Sequence, residues 1–269
     1  LCIAHPEQNA KCPDIVGAFR DQFGFFLGAI GWLNLLPALL AILVGAPLVA
    51  RELEHGTHRL AWTQSVTRLR WLGVKLALVF CASLIATALL SLLLTWFLGP
   101  IDTLDGRIQP NSFDFEGTVM LGYVAFAMAL AIAAGAVLRR AIPAMVVTLA
   151  GFLAVRLPIE FSLRQHYVAP LVTRATQLYS RLDWQLGEYW VNSLGQRVSD
   201  NQVFPTCAGP GTLKPDFFQC VQAHGWFDTV MYQPASRFWL FQGIETTIFL
   251  ALAVGLLLFT LWWIRRRVN

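Results

Sequence analysis

Charge is what this sequence has least of. Asp, Glu, Lys and Arg together make up 13% of its 269 residues, where a soluble domain carries roughly 25%. A water-soluble fold is thereby excluded. The deficit is concentrated in runs: Gln22–Ala50 has 29 residues without an ionised side chain, Leu76–Ile101 has 26 and Gly117–Leu138 has 22. About 20 apolar residues at ~1.5 Å rise cross the ~30 Å hydrocarbon core of a bilayer, so each run is long enough to span. Alternating ten-residue segments are also lacking, which excludes barrel strands, because lipid tolerates only helices or closed barrels. Basic excess is small: a net charge of +4 follows membrane topology and points to no nucleic-acid partner.

Two further spans carry charge. Ala141–Val155 is uncharged and its apolar pattern continues to Leu163, past Arg156 and Glu160. Arg237–Ile264 reads as a long helix with Glu245 in its outer part, ending at Arg265, Arg266 and Arg267. The expected fold is an all-α, polytopic membrane protein with five spans. Its divisions are an external segment (1–24), a span (25–50), a cytoplasmic connection (51–71), a span (72–98), an external loop (99–116), spans 117–138 and 141–163, an external cap (164–236), a span (237–264) and a cytoplasmic tail (265–269). The chain opens at Leu1 on the expected outside with no signal peptide, so a preceding span is expected to bring the total to six, with both termini inside.

Orientation follows from the basic residues. Arg51–Lys75, Arg139–Ile142 and Arg265–Asn269 hold ten Lys or Arg against two acids, Glu52 and Glu54, while the remainder holds ten basic and fourteen acidic residues. Positive charge gathers on the cytoplasmic side. Cysteine is scarce, five in all, and Cys2, Cys12, Cys207 and Cys220 fall on the expected outside. Oxidising surroundings permit disulfides there, and the pairs Cys2–Cys12 and Cys207–Cys220 are expected, although four cysteines allow three pairings. The cap is rich in aromatics, so a folded unit is expected, with Tyr167–Leu186 as a surface helix. The loop from Pro100 to Glu116 reads as irregular.

Arg156, Glu160 and Glu245 are costly in lipid, at least ~2.5 kcal/mol each near the bilayer centre, so each needs a partner or water. Counted along their helices, Arg156 and Glu245 both fall in the outer leaflet. Arg156 is expected to pair with Glu160 one turn on or with Glu245 across a helix interface, either as a structural bridge or as part of an outer gate. Asn34, Pro37 and Pro47 mark a kink or a polar spot in the first span. Gly24, Gly28 and Gly31 offer a smooth packing face. His55 and His58 lack the His-Glu-x-x-His order, and Asp102 with Asp105-Gly106 falls short of a calcium loop, so no metal is expected.

The connection Arg51–Arg70 is too long for a turn and, with Leu53, Leu60, Trp62 and Val66, too apolar for a solvated charge run. It reads as a short helix across the cytoplasmic ends of two spans, a docking surface. Its sequence, Ala46-Pro-Leu-Val-Ala-Arg-Glu-Leu-Glu-His-Gly-Thr-His-Arg-Leu-Ala-Trp-Thr-Gln-Ser-Val-Thr-Arg68, with Trp71 and Lys75, resembles the permease subunits of actinobacterial ABC exporters of the ABC-2 type. Tyr232–Glu245 and Arg164–Pro170 look like the same group. That resemblance implies six spans, a permease dimer, and a coupling helix that binds a separate ATPase subunit through Glu52, Glu54, His55, Gly56, Thr57, Arg59 and Leu60.

The sequence holds no Gly-x-x-x-x-Gly-Lys-Ser/Thr phosphate loop, so Mg-ATP is expected on the partner ATPase and no cofactor on this chain. It also lacks Gly-x-Ser-x-Gly, His-Glu-x-x-His and paired intramembrane aspartates, and no catalytic residue is expected. The expected function is export of an amphipathic drug, peptide or lipid across the bacterial plasma membrane. Alternatives are a proton-coupled transporter relaying through Arg156, Glu160 and Glu245, and a membrane sensor coupled to an ATPase.

Overall fold

The computed structural model describes residues 17–18, 28–48, 50, 68–174, 180–208 and 217–267. Five of its helices are long and apolar enough to cross a membrane, and the chain is a mostly helical, multi-pass membrane protein. They are α1 (Gly28–Leu48), α2 (Arg68–Asp105), α4 (Val119–Leu138), α5 (Ala141–Pro158) and α8 (Phe238–Arg267), with the short α3 (Pro110–Phe113) ahead of α4. The region read as an irregular loop is thus partly helical. α2 carries on through Pro100 to Asp105, and Pro110 starts α3 at a first-turn position where a missing N–H costs nothing.

α4 is the hub. Sixteen of its twenty residues are buried, and its Ala- and Gly-rich sequence lets neighbouring backbones approach closely. A Cβ on Gly135 would lie 3.0 Å from the Ala46 carbonyl oxygen, one on Gly122 would lie 3.3 Å from Thr246 Cα, and one on Gly45 of α1 would meet Ala131 Cβ at 2.9 Å. Phe126 and Phe249 pack edge to face across the α4–α8 contact, and Phe126 stacks on Phe152 of α5. Large apolar side chains elsewhere, such as Leu78, Leu89, Leu92 and Trp96 of α2, point outward as lipid-facing residues do.

The direction of each span is set by these contacts. Ala50, two residues past α1, packs on Gly135. Leu48, Phe80, Ile132, Ala136, Trp263 and Ile264 form one apolar cluster. The C-terminal ends of α1, α4 and α8 and the N-terminal part of α2 therefore lie together, beside Arg139, Arg140, Arg265 and Arg266. Arg139 takes a left-handed conformation (φ 54°) that closes the α4–α5 turn.

The opposite end carries a small α/β unit, so the chain is mostly rather than wholly helical. β1 (Leu171–Arg174), β2 (Trp184–Val191), β3 (Arg197–Val198) and β4 (Phe227–Gln233) form an antiparallel sheet in the order β1-β4-β2-β3. α6 (Asp200–Cys207) and α7 (Phe217–Ala223) pack beside it, with Trp190, Val203, Cys207, Phe217 and Val221 as their core. The surface helix expected over Tyr167–Leu186 is overturned. Within it Leu171–Arg174 and Trp184–Leu186 are strand: Val172 and Thr173 are β-branched, and the aromatic, alternating run Trp184–Val191 suits a half-buried sheet. Cys207 and Cys220 are disulfide-bonded and join α6 to α7. Cys2 and Cys12 lie outside the described residues.

Candidate functional site

Where α5 approaches the sheet it leaves α-geometry. A π-turn over Ile159–Leu163 is followed by a 3-10 turn over Arg164–His166. Eight residues of regular α-helix would carry Arg164 about 80° past Arg156 around the axis. The wider π-turn absorbs one extra residue, so Arg156, Glu160 and Arg164 look the same way.

They face a buried ionic cluster. Arg164 Nη2 donates to Asp114 Oδ1 at 2.6 Å and to Glu245 Oε1 at 2.8 Å, and its Nε donates to Glu245 Oε2 at 2.8 Å. Arg156 Nη2 donates to Asp114 Oδ2 at 2.9 Å and to Asn34 Oδ1 at 2.7 Å. The Tyr123 hydroxyl lies 2.9 Å from Asp114 Oδ1 and 2.5 Å from Glu245 Oε1, beneath the Arg156 guanidinium. Tyr167 OH donates to Glu245 Oε2 at 3.2 Å. Burial and the Glu245 charge push the Tyr167 hydroxyl above its ordinary range, so it stays a donor. Glu160, half-buried, stands 3.5 Å from Arg156 Nε.

The side chains of Asp114, Arg156, Arg164 and Glu245 are each at most 4% exposed. Two guanidinium and two carboxylate groups balance, and their hydrogen bonds offset much of the desolvation that burying them costs. Through them α1, the α3–α4 loop, α4, α5 and α8 meet at one point. Asn34, singled out as a polar spot in the first span, is the α1 contribution. Arg156 does pair with Glu160, but it does not reach Glu245. That carboxylate belongs to Arg164, which the sequence reading left at the edge of the cap.

Gln242, one turn before Glu245, braces the same junction. Its Oε1 accepts from the backbone N–H groups of Thr118 (3.0 Å) and Val119 (2.8 Å), and its Nε2 donates to the Phe113 carbonyl at 2.9 Å. These are N–H groups at the start of α4, which has no side-chain cap of its own. Gly117, at φ +71°, brings the loop so close that a Cβ would sit 2.8 Å from Gln242 Oε1. Gln242→Leu is expected to lower stability by about 2 kcal/mol or more, because it strands buried backbone donors and an acceptor. Thermal unfolding of the detergent-purified protein measures this, and an unchanged midpoint would refute the brace.

The remaining candidates fall elsewhere. Glu52, Glu54, His55, Gly56, Thr57, Arg59 and Leu60 lie outside the described residues. Cys207, Cys220 and His224 place possible ligand atoms within 4.8 Å of one another. Both sulfurs are held in the disulfide, however, and His224 stacks on Trp226, so thiolate ligation is not on offer. Sequence reasoning missed Asp114, Tyr123, Arg164, Tyr167 and Gln242. The signal for Arg164 was its place eight residues after Arg156 on the same helix, and for Asp114 its place in the acidic Asp-Phe-Glu leading into a span.

A family model described as "ABC-2 membrane transporter related" matches residues 2–164. No curated protein and no solved structure matches the chain.

Proposed function

The chain belongs to the ABC-2 membrane transporter related family, and on that premise we propose that it is the membrane-spanning subunit of an ATP-driven exporter, working as a dimer with separate ATPase chains. The segment 51–70 is its coupling element, with Glu52, Glu54, His55, Gly56, Thr57, Arg59 and Leu60 facing the ATPase. One observation carries this reading. α1 ends and α2 begins at the end of the bundle where Arg139, Arg140, Arg265 and Arg266 gather, as the positive-inside rule requires of a cytoplasmic face. The sheet unit and its disulfide then lie outside the cell.

The mechanism follows from a push at one end against an anchor at the other. Nucleotide-driven closure of the ATPase pair loads the coupling elements and so the cytoplasmic ends of α1 and α2. At the far end α1 is held through Asn34 on Arg156. There α2 is held by Ser91, whose hydroxyl donates to the Gly117 carbonyl at 2.9 Å. The ionic cluster acts as the fulcrum about which the spans tilt and pass an amphipathic substrate outward. Arg156, Glu160 and Glu245 belong to that fulcrum.

Co-expression with a candidate ABC ATPase partner tests the reading. Wild-type protein is expected to co-purify with it, and Glu54→Lys is expected to reduce the recovered ATPase at least tenfold with the permease still folded. Co-purification that Glu54→Lys leaves intact would sink the coupling assignment. A wild-type chain that never retains an ATPase would sink the exporter.

A further inference from the structure

A second ionic junction lies outside the cluster, where α2 meets the loop leading to α4. Arg107 Nε stands 2.6 Å from Glu116 Oε2 and 3.8 Å from Asp102 Oδ2. The Glu116 side chain is fully buried and that of Asp102 is 10% exposed. The two carboxyl groups thus converge on one guanidinium nitrogen. Their remaining oxygens, Asp102 Oδ1 and Glu116 Oε1, are buried with no hydrogen-bond partner in the described structure.

Two ionised carboxylates are both acceptors and cannot hydrogen-bond to one another; a carboxylic acid and a carboxylate can. Among the described residues Arg107 is the cation facing the pair, so it balances one negative charge and leaves the second uncompensated. Arg107 is itself fixed, its guanidinium lying over the Phe238 and Trp239 rings of α8.

The fold does not let the acids move apart. The Gly106 N–H donates to the Asp102 carbonyl, and Gly106, at φ +82°, presses on Leu182 so closely that a Cβ would overlap its backbone. Gln109 Nε2 donates to the Asp183 carbonyl, and Ser91 ties α2 to Gly117.

We propose that Asp102 and Glu116 form a proton-binding site, holding one shared proton in a hydrogen bond that joins the end of α2 to the loop entering α4. The proton sits on one carboxyl, which donates to the other, and Arg107 neutralises the pair's single remaining charge. Raising the pH removes the proton and sets two carboxylates against each other on one guanidinium, which loosens this joint two residues from Asp114 in the main cluster. The site is independent of the transport reading, because it concerns the chain's own protonation.

Infrared difference spectroscopy of the purified chain reads the proton directly. The wild type is expected to show the carbonyl stretch of a protonated carboxylic acid at neutral pH, shifting down in heavy water and vanishing as the pH is raised. Asp102→Asn and Glu116→Gln are each expected to abolish that band, with monodisperse elution showing that they fold. If the wild type shows no such band, or the band survives both substitutions, the proposal fails. A band removed at constant pH by millimolar magnesium or calcium would show that the pair takes a metal cation, and this too overturns it.

Discussion

Arg164→Met is expected to be the most damaging single change in the protein, costing about 3–5 kcal/mol, because it leaves buried carboxylates without their counter-charge. Among the described residues Arg164 is the cation that bonds both Asp114 and Glu245, and its own side chain is 1% exposed. With Met in its place Arg156 still holds Asp114, but Glu245 keeps only tyrosine hydroxyls. Methionine is close in length and flexible, so the loss reports charge more than volume. The decisive comparison is the double variant Arg164→Met/Glu245→Met. It removes one charge of each sign and leaves Asp114 with Arg156, so it is expected to recover most of the stability. Thermal unfolding and size-exclusion profiles measure both. A double variant no better than the single one would mean that shape, and not charge, holds this junction.

Replacing Cys207 by Ser is expected to cost about 3 kcal/mol, the loop-closure value for a cross-link of this size. The bonded cysteines are 13 residues apart in sequence, and Cys207 is one of the few residues in the small core shared by α6 and α7. That core is separate from the one around α4, so the damage is expected to stay local. Hydrogen exchange should rise over α6, α7 and β3 with little change in α4 or α8. Global loss of protection would show that the sheet unit and the spans unfold together.

The spans were legible because lipid imposes one rule on every residue of a long segment. Charge-free runs of 22 to 29 residues leave little else possible. The basic ends of α4 and α8 were legible for the same reason. The sheet was not. Its strands are short, their pairing joins residues far apart in sequence, and Val172 opposite Met231 carries no local mark. The cluster was half legible. Arg156, Glu160 and Glu245 stand out against apolar neighbours, whereas Asp114 and Arg164 sit at the margins of spans, where charge is ordinary. What brings Arg164 into line is the π-turn at Ile159–Leu163, and its only visible hint is Pro158, which withdraws one backbone donor just before it.

The order in which the cluster's members leave the ribosome has a consequence for biogenesis. Glu245 is 81 residues downstream of Arg164. Until α8 is made, the nascent chain holds two guanidinium groups near Asp114 with a single fully buried carboxylate to answer them. Membrane integration of α1, α2, α4 and α5 ahead of α8 therefore yields an intermediate that is electrically unfinished. Docking of α8 supplies the missing charge, and a chain in which Glu245 has not yet reached Arg164 carries a buried, unanswered guanidinium.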